Sequence, residues 1–439
     1  MNLRNVIIET LQNEVKPAMG CTEPVAVALA AAKASAQLMG EEICELDIKV
    51  SPNIFKNGLG VGIPNSDYIG LDIAASLGAI GGDSDSGLKV LETITPDHEQ
   101  VALALISEGK LKVSVADTDL KIYILAKVKS KNHVGIAEIK NKHDQITYVK
   151  ADDQVVLKEE TQTSKANYNA DMIYESKIST IIETISEMDY ESLAFLKDGI
   201  DMNLKMAEAG LSEGIGIGVG SGLMKSVEEG YLSKDLMTDA MILTAAASDA
   251  RMSGMNLPVM SSNGSGNNGL TAILPIVAYL KRNDVSDEQL VKALAISHII
   301  NCYIKNQIGR LSALCGCSIA AATGATAALS WLMGSDQEII EGAMKDMIAD
   351  VSGTICDGAK LGCALKLSTA ASVAVKYALL AKHKRIVPQR NGIIAGTIET
   401  TIDNLGRLSN EGMQLTDEVI FNIMKEMNEG QEIQRLHHS

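Results

Sequence analysis

Four cysteines fall within the stretch Leu314–Lys366, as Cys315-Gly316-Cys317, then Cys356, then Cys363. Counted from Cys315 the spacing is C-x40-C-x6-C, and the Gly-rich turn Asp357-Gly358-Ala359-Lys360-Leu361-Gly362 joins the last two. Thiols from two distant turns can thereby converge on one point, which is how a soft metal ion or an iron–sulfur cluster is held. Cysteines also serve as small inert hydrophobes, but Cys356 and Cys363 bracket a polar turn where burial alone has little to gain. A zinc site on the same segment, in a binding or sensor protein without turnover, is the other chemical reading.

A fifth cysteine lies in Met19-Gly20-Cys21-Thr22-Glu23-Pro24. Pro17 and Gly20 break a first helix whose apolar face is Val6, Ile7, Leu11 and Val15, and a second helix is predicted from Pro24 to about Met39. Cys21 therefore stands at or just before a helix N-terminus, where unpaired N–H groups and the dipole favour a thiolate. The bland alternative is a cysteine plugging an inter-helix turn, against which the neighbouring Glu23 carboxylate argues. A second polar stretch, Pro258–Gly269 (PVMSSNGSGNNG), interrupts apolar surroundings. Its Ser261, Ser262, Asn263, Gly264, Asn267 and Asn268 form a nest for a carboxylate, unless the stretch is simply a surface loop. His298 and Cys302 share a helix face at i, i+4, a spacing that suits a ligand pair but more often marks a core histidine.

The elements that must position these residues divide into three groups. Residues 1–42 read as N-terminal helices that carry Cys21 and pack on a helical domain. Residues 43–165 alternate in the manner of strands, for example at Leu46–Val50, Leu120–Val128 and Val134–Ile139, with helices between them. They predict a small α+β domain with a mixed sheet and helices on one face. Glu159–Tyr168 is polar and reads as a linker. Residues 166–439 then follow a helical period almost throughout, so the fold class is α+β with a larger all-α catalytic domain. Two glycine runs, Gly58–Gly62 and Gly214–Gly222, match neither a dinucleotide fingerprint nor a phosphate loop. They read as sites of close backbone approach, with an anion site on the helix after Gly222 as the alternative.

Composition sets the limits. With 39 Lys and Arg against 55 Asp and Glu, the net charge is -16, which speaks against a general nucleic-acid binder. The start MNLRNVIIETLQNEV is amphipathic, unlike a secretory signal, and the uncharged run Cys317–Gly334 reads as a tightly packed buried helix and not as a membrane span. Seven cysteines then suggest a reducing cytoplasm with free or metal-bound thiols. Hydrophobic residues make up 46% of the chain and aromatic ones 3%; the small residues suit close helix packing and hint at a homo-oligomer.

Taken together, Met19–Pro24, Ser261–Gly269, Cys315-Gly316-Cys317 and Ile355–Cys363 resemble, in order and along the whole chain, the L-cysteine desulfidase family, which is related to the iron-sulfur-dependent L-serine dehydratases. The resemblance implies a [4Fe-4S] cluster on Cys356, Cys363 and one of Cys315 or Cys317, with an iron left open to a small amino-acid substrate. It implies α,β-elimination from L-cysteine to pyruvate, ammonia and hydrogen sulfide, or from L-serine with the same cluster. Cys21 is then the expected base or resting-state ligand with Glu23 orienting it, Asp357 and Lys360 orient at the cluster, and the Ser261–Gly269 loop holds the substrate carboxylate. The x6 spacing follows the desulfidases, since the dehydratases space these two ligands more widely. Their cysteine-bearing tail has no counterpart in Arg435–Ser439, which leaves the fourth position to Cys21.

Overall fold

The structure is a computed structural model that describes residues 2–159, 170–309 and 312–428. The expected linker, beyond Glu159, and the chain end Arg435–Ser439 lie outside those residues. Two hydrophobic cores organise the rest. The smaller is built on a six-stranded mixed sheet. From one edge the strands are Leu111–Val115, Glu45–Val50, Tyr123–Lys129, Val134–Lys140, Ile146–Ala151 and Gln154–Lys158. Only the first pair is parallel. Strict alternation puts Ile124, Ala126 and Val128, with Ala137 and Ile139 beside them, on one buried face. The helices Thr22–Ser35 and Leu71–Gly81 share that core.

The larger core is all-helical, as the period predicts. Its inner helix Asp287–Ile308 starts at a Ser286/Gln289 capping box and is buried along nearly its whole length. Against it pack Gly266–Leu280, Ala322–Leu332 and Ile398–Arg407, and Leu236–Met252, Gln337–Val351 and Cys363–Lys382 complete the bundle. The run Cys317–Gly334 opens with one wider π-helical turn, Cys317–Ala321, and continues as the buried helix Ala322–Leu332. Among the described residues Cys363–Lys382 is long and apolar enough to cross a membrane, yet Leu367, Ala370, Ala371, Val373, Val375 and Ala378 sit in the helical core.

The structure departs from the sequence reading in two places and bears it out in a third. The expected unit 1–42 divides at Cys21: helix Leu3–Glu14 buries Val6, Ile7 and Leu11 in the larger core, whereas Thr22–Ser35 belongs to the sheet domain. The polar stretch begins as a strand, Pro258–Met260, that pairs antiparallel with Pro17–Met19, and Asn267 and Asn268 already lie in the first turn of Gly266–Leu280. The second glycine run does allow close backbone approach, since a Cβ on Gly220 would lie 2.6 Å from Ala246 Cα, and the anion it holds is supplied by the chain itself. Asp249 Oδ2 accepts from the Gly220 N–H at 3.0 Å, and the N–H groups of Ile217, Gly218 and Val219 also face the carboxyl. Gly216 and Gly218 take positive φ to form this cradle, and a Cβ on Gly216 would lie 2.8 Å from Asp249 Oδ1. Replacing Asp249 by Ala strands the buried Gly220 donor, so urea unfolding of Asp249→Ala is expected to show a loss of about 1–3 kcal/mol; an unchanged midpoint would refute the role given to this carboxyl.

Candidate functional site

The thiol-bearing segments meet where the two cores join. Leu314 and Ile355 form an antiparallel bridge. The Cys315 N–H donates to Thr354 O at 2.9 Å and the Cys356 N–H to Ala313 O at 2.6 Å, which sets Cys315 beside Cys356. From Cys356 the chain turns through Gly358, at φ +88°, to Cys363, the first residue of helix Cys363–Lys382. A Cβ on Gly358 would sit 2.1 Å from the Lys56 carbonyl, so the turn lies directly on helix Pro52–Gly58 of the sheet domain. A further bridge links Gly60 to Lys360, and the Gly62 N–H donates to Met252 O at 2.8 Å. Cys21, as the N-cap residue of Thr22–Ser35, enters from the other side and packs in a small cluster with Val61, Met252, Ala359, Leu361 and Cys363.

Cys315, Cys317, Cys356 and Cys363 all act on one another electrostatically, and Cys363 acts on Cys21. All seven cysteines are free; Cys44 is exposed and Cys302 is buried on the inner helix. Among the described residues no group of three His, Cys, Asp or Glu side chains is arranged to hold a single metal ion. The donor set nonetheless fits an iron–sulfur cluster, which spreads its ligating sulfurs over several irons and takes thiolates almost exclusively.

The thiols are not alike. Burial is the main cause that pushes Cys21 far above the ordinary thiol range, with Glu23 adding to it. Its Sγ donates to Glu23 Oε2 at 3.5 Å, so the thiolate expected at this helix start is a protonated thiol here. The dipole of one helix is outweighed by desolvation. Glu23 is itself oriented by Asn57, whose Nδ2 donates to Oε1 at 3.3 Å. Burial raises Cys356, and raises Cys363 to about 11. Cys315 goes the other way, because it accepts from Cys317 and from Ser318 Oγ at 3.4 Å, and the same contact with Cys315 raises Cys317. Cations face this group: Lys366 acts on Cys315 and Cys356, Lys56 on Cys356, Lys360 on Cys363 and Arg251 on Cys21. Asp357 pairs with both Lys360 and Lys366 and so fastens the turn between two of the thiols.

The ribbon of Pro17–Met19 with Pro258–Met260 brings the amide-rich stretch to the same place. Most of its polar groups are already used. Ser261 Oγ donates to Lys16 O at 2.6 Å; Ser262 Oγ meets His298 Nδ1 at 2.8 Å and accepts from Asn301 Nδ2 at 2.9 Å. Asn267 Oδ1 accepts from Arg251 Nη1 at 3.1 Å, while Arg251 Nη2 donates to Gly20 O at 3.0 Å, tying this stretch to the Cys21 turn. Gly264, at φ +74°, and Asn263, at φ +49°, make the bend. Asn263 Oδ1 and Asn268 Nδ2 are buried without a partner, as are His298 Nε2 and Asn301 Oδ1. His298 is neutral, its pKa driven down to about 3 by burial, which agrees with the core-histidine reading. The expected nest of backbone N–H groups is largely filled, since those of Ser262, Asn263 and Ser265 donate to backbone oxygens.

Sequence reasoning passed over Arg251, Lys366, Lys56 and Lys305. A signal was there: Arg251 ends an Ala-rich apolar helix, and Lys305 follows the apolar run at Ile299–Ile304. Both are about 5% exposed, and buried cations are rare unless they are paired.

A buried thiol set facing a pocket of amides, with cations around both, is a site for a small polar molecule. The family model described as serine dehydratase alpha chain matches residues 85–422, and the chain belongs to that family, whose name describes a lyase. It is 53% identical to a UPF0597 protein of Clostridioides difficile (strain 630) over 426 residues, 96% of this chain and 99% of that protein. It is 50% identical to a UPF0597 protein of Alkaliphilus metalliredigens (strain QYMF), covering 98% of this chain and 97% of the relative.

Asp357 gives a test of the turn. Burial pushes its carboxyl up, but the hydrogen bonds from Lys360 and Lys366 win and hold it at about 2, below the ordinary 3.8. Folding therefore gains from this group at any pH above the unfolded value, and the gain is lost as pH falls from there towards about 2. Acid unfolding followed by circular dichroism should show this component in the wild type and lack it in Asp357→Asn; identical acid limbs would count against it.

Proposed function

We propose that this chain is an iron–sulfur lyase that carries out α,β-elimination on a small L-amino acid, with L-cysteine as the preferred substrate. The observation that carries the reading is the meeting of five thiols, from both sides of the domain junction, beside an amide pocket with unpartnered polar atoms. Cys356, Cys363 and one of Cys315 or Cys317 would hold a [4Fe-4S] cluster, and the surrounding lysines would offset the charge of the thiolates. When bound, the cluster supplies an open iron, a Lewis acid suited to a thiolate or hydroxyl leaving group.

The chain's own residues supply the proton chemistry. As the Cys21 sulfur takes the substrate's α-proton, the proton it holds passes to Glu23, the acceptor of its hydrogen bond, so that no free thiolate has to form. The α-carbon electron pair forms the carbon–carbon double bond as the bond to the β-sulfur breaks, and the sulfur leaves as sulfide. The aminoacrylate released tautomerises and adds water, giving pyruvate and ammonia. A positioned base of this kind contributes about 10²- to 10⁴-fold. Arg251 holds the Gly20 carbonyl and thereby fixes where Cys21 stands. The free thiols also suit a cytoplasmic setting.

L-Serine is the second reading, favoured by the description of the matching family. Anaerobic assays that score sulfide and pyruvate with each amino acid separate the two. Cys356→Ala is expected to lose both the brown absorbance and turnover, whereas Cys21→Ser should keep its iron and lose activity by at least about 10²-fold. A wild-type chain that stays colourless after reconstitution with iron and sulfide without oxygen would overturn the proposal.

A further inference from the structure

We infer that the C-terminal helix Gln414–Asn428 is a strap between the two cores, and that its Asp417 and Phe421 are positioning residues for Glu23, acting through the short helix Pro52–Gly58. This rests on the elimination reading and adds to it residues that hold the proton acceptor in place from a distance.

The strap is fixed at one end to the helical core. Just before it, Ser409 Oγ donates to Ile308 O at 3.1 Å and Asn410 Nδ2 to Gln307 O at 2.8 Å, at the C-terminal end of the inner helix. From there the chain crosses to the sheet domain. Asp417 accepts from the Lys56 ammonium at 2.5 Å, and the Phe421 ring stands edge-on to Phe55 with 5.8 Å between centroids. Phe421 packs against the sheet-domain core, of which Phe55 is part. The outward side of the helix presents Leu415, Val419, Ile423 and Met427, all exposed. The strap is therefore held by its inner side alone, and single changes there can release it.

What the strap holds is a helix that cannot fix its own position. Pro52–Gly58 has seven residues, and a helix that short is marginal by itself and takes its place from packing. Three successive residues of it are committed. Phe55 meets Phe421, Lys56 meets Asp417, and Asn57 Nδ2 donates to Glu23 Oε1 at 3.3 Å. With Oε1 taken in this way, Glu23 turns Oε2 to the Cys21 sulfur at 3.5 Å. The bond from Asn57 is already long, so a small shift of Pro52–Gly58 breaks it and frees the carboxylate to rotate away from Cys21. Losing Asp417 forces such a shift, because the Lys56 side chain is only 4% exposed and a buried ammonium stripped of its carboxylate is costly where it stands.

Two measurements test this on the full anaerobic chain. Hydrogen exchange read by mass spectrometry needs no turnover: Phe421→Ala and Asp417→Asn are each expected to speed exchange within residues 52–58 while far-UV circular dichroism stays unchanged. In turnover of L-cysteine both variants should lower kcat by about 10- to 100-fold, the cost of a displaced acceptor, with KM little changed and with a larger isotope effect from α-deuterated substrate. Asn57→Ala should do the same, and adding Phe421→Ala to it should cost little more, since both act on one contact. Phe421→Leu, which keeps an apolar side chain against Phe55, should recover most of the loss and serves if the alanine variant does not fold. Unchanged exchange in the folded variants, or losses from Asn57→Ala and Phe421→Ala that simply multiply, overturns the inference. Faster exchange with kcat unaltered would defeat the positioning role and leave the elimination reading standing. Faster exchange in a chain whose wild type eliminates neither amino acid would sink the elimination reading, and the role given to Glu23 with it.

Discussion

Two backbones touch at Gly62 and Gly254 with no room for a side chain on either. A Cβ on Gly62 would fall 2.3 Å from the Ser253 carbonyl carbon, and one on Gly254 would fall 2.7 Å from the Gly62 carbonyl carbon. This contact presses the sheet domain against the end of helix Leu236–Met252, and the rest of the site depends on it. It sets Val61 and Met252 around Cys21 and Cys363, and it leaves the 356–363 turn lying on helix Pro52–Gly58. The C-terminal helix Gln414–Asn428 supports the same junction, with Asp417 2.5 Å from Lys56 and Phe421 edge-on to Phe55.

Once closed, the junction buries polar chemistry at a cost that the local pairings offset. Lys56 and Arg251 are nearly inaccessible, and each is tied to an oxygen partner across the junction or near it. A buried charge without such a partner would be expensive. The thiols respond to the same desolvation. Cys21, Cys356 and Cys363 are held protonated by burial, while Cys315 is drawn down by its hydrogen bond from Cys317. Ligation by iron, as proposed, would replace those protons, so the thiols' affinity for metal would rise with pH.

Much of this was legible in the sequence because it is local. The C-x40-C-x6-C spacing, the helix that begins at Cys21 and the alternating strands of the sheet domain need only neighbours in the chain to be read. What escaped depends on partners far away. The ribbon between Pro17–Met19 and Pro258–Met260 is three residues long on each side, too short for any period. The glycine run 214–222 gave no hint that its anion would be Asp249, about thirty positions on. The protonation state of Cys21 turned on burial by residues of both domains, whereas the helix dipole that pointed to a thiolate is visible from one segment. Asn267 and Asn268 read as loop residues because their helix begins with glycine and asparagine, and Ser265 caps it.

In the proposed site the gathered thiols leave one corner open towards the amide pocket. Mössbauer spectroscopy of the anaerobically reconstituted protein, before and after addition of L-cysteine, tests it most directly. One iron environment distinct from the others is expected, with a change confined to that environment when L-cysteine arrives. Iron sites that are all equivalent and indifferent to the amino acid would contradict it.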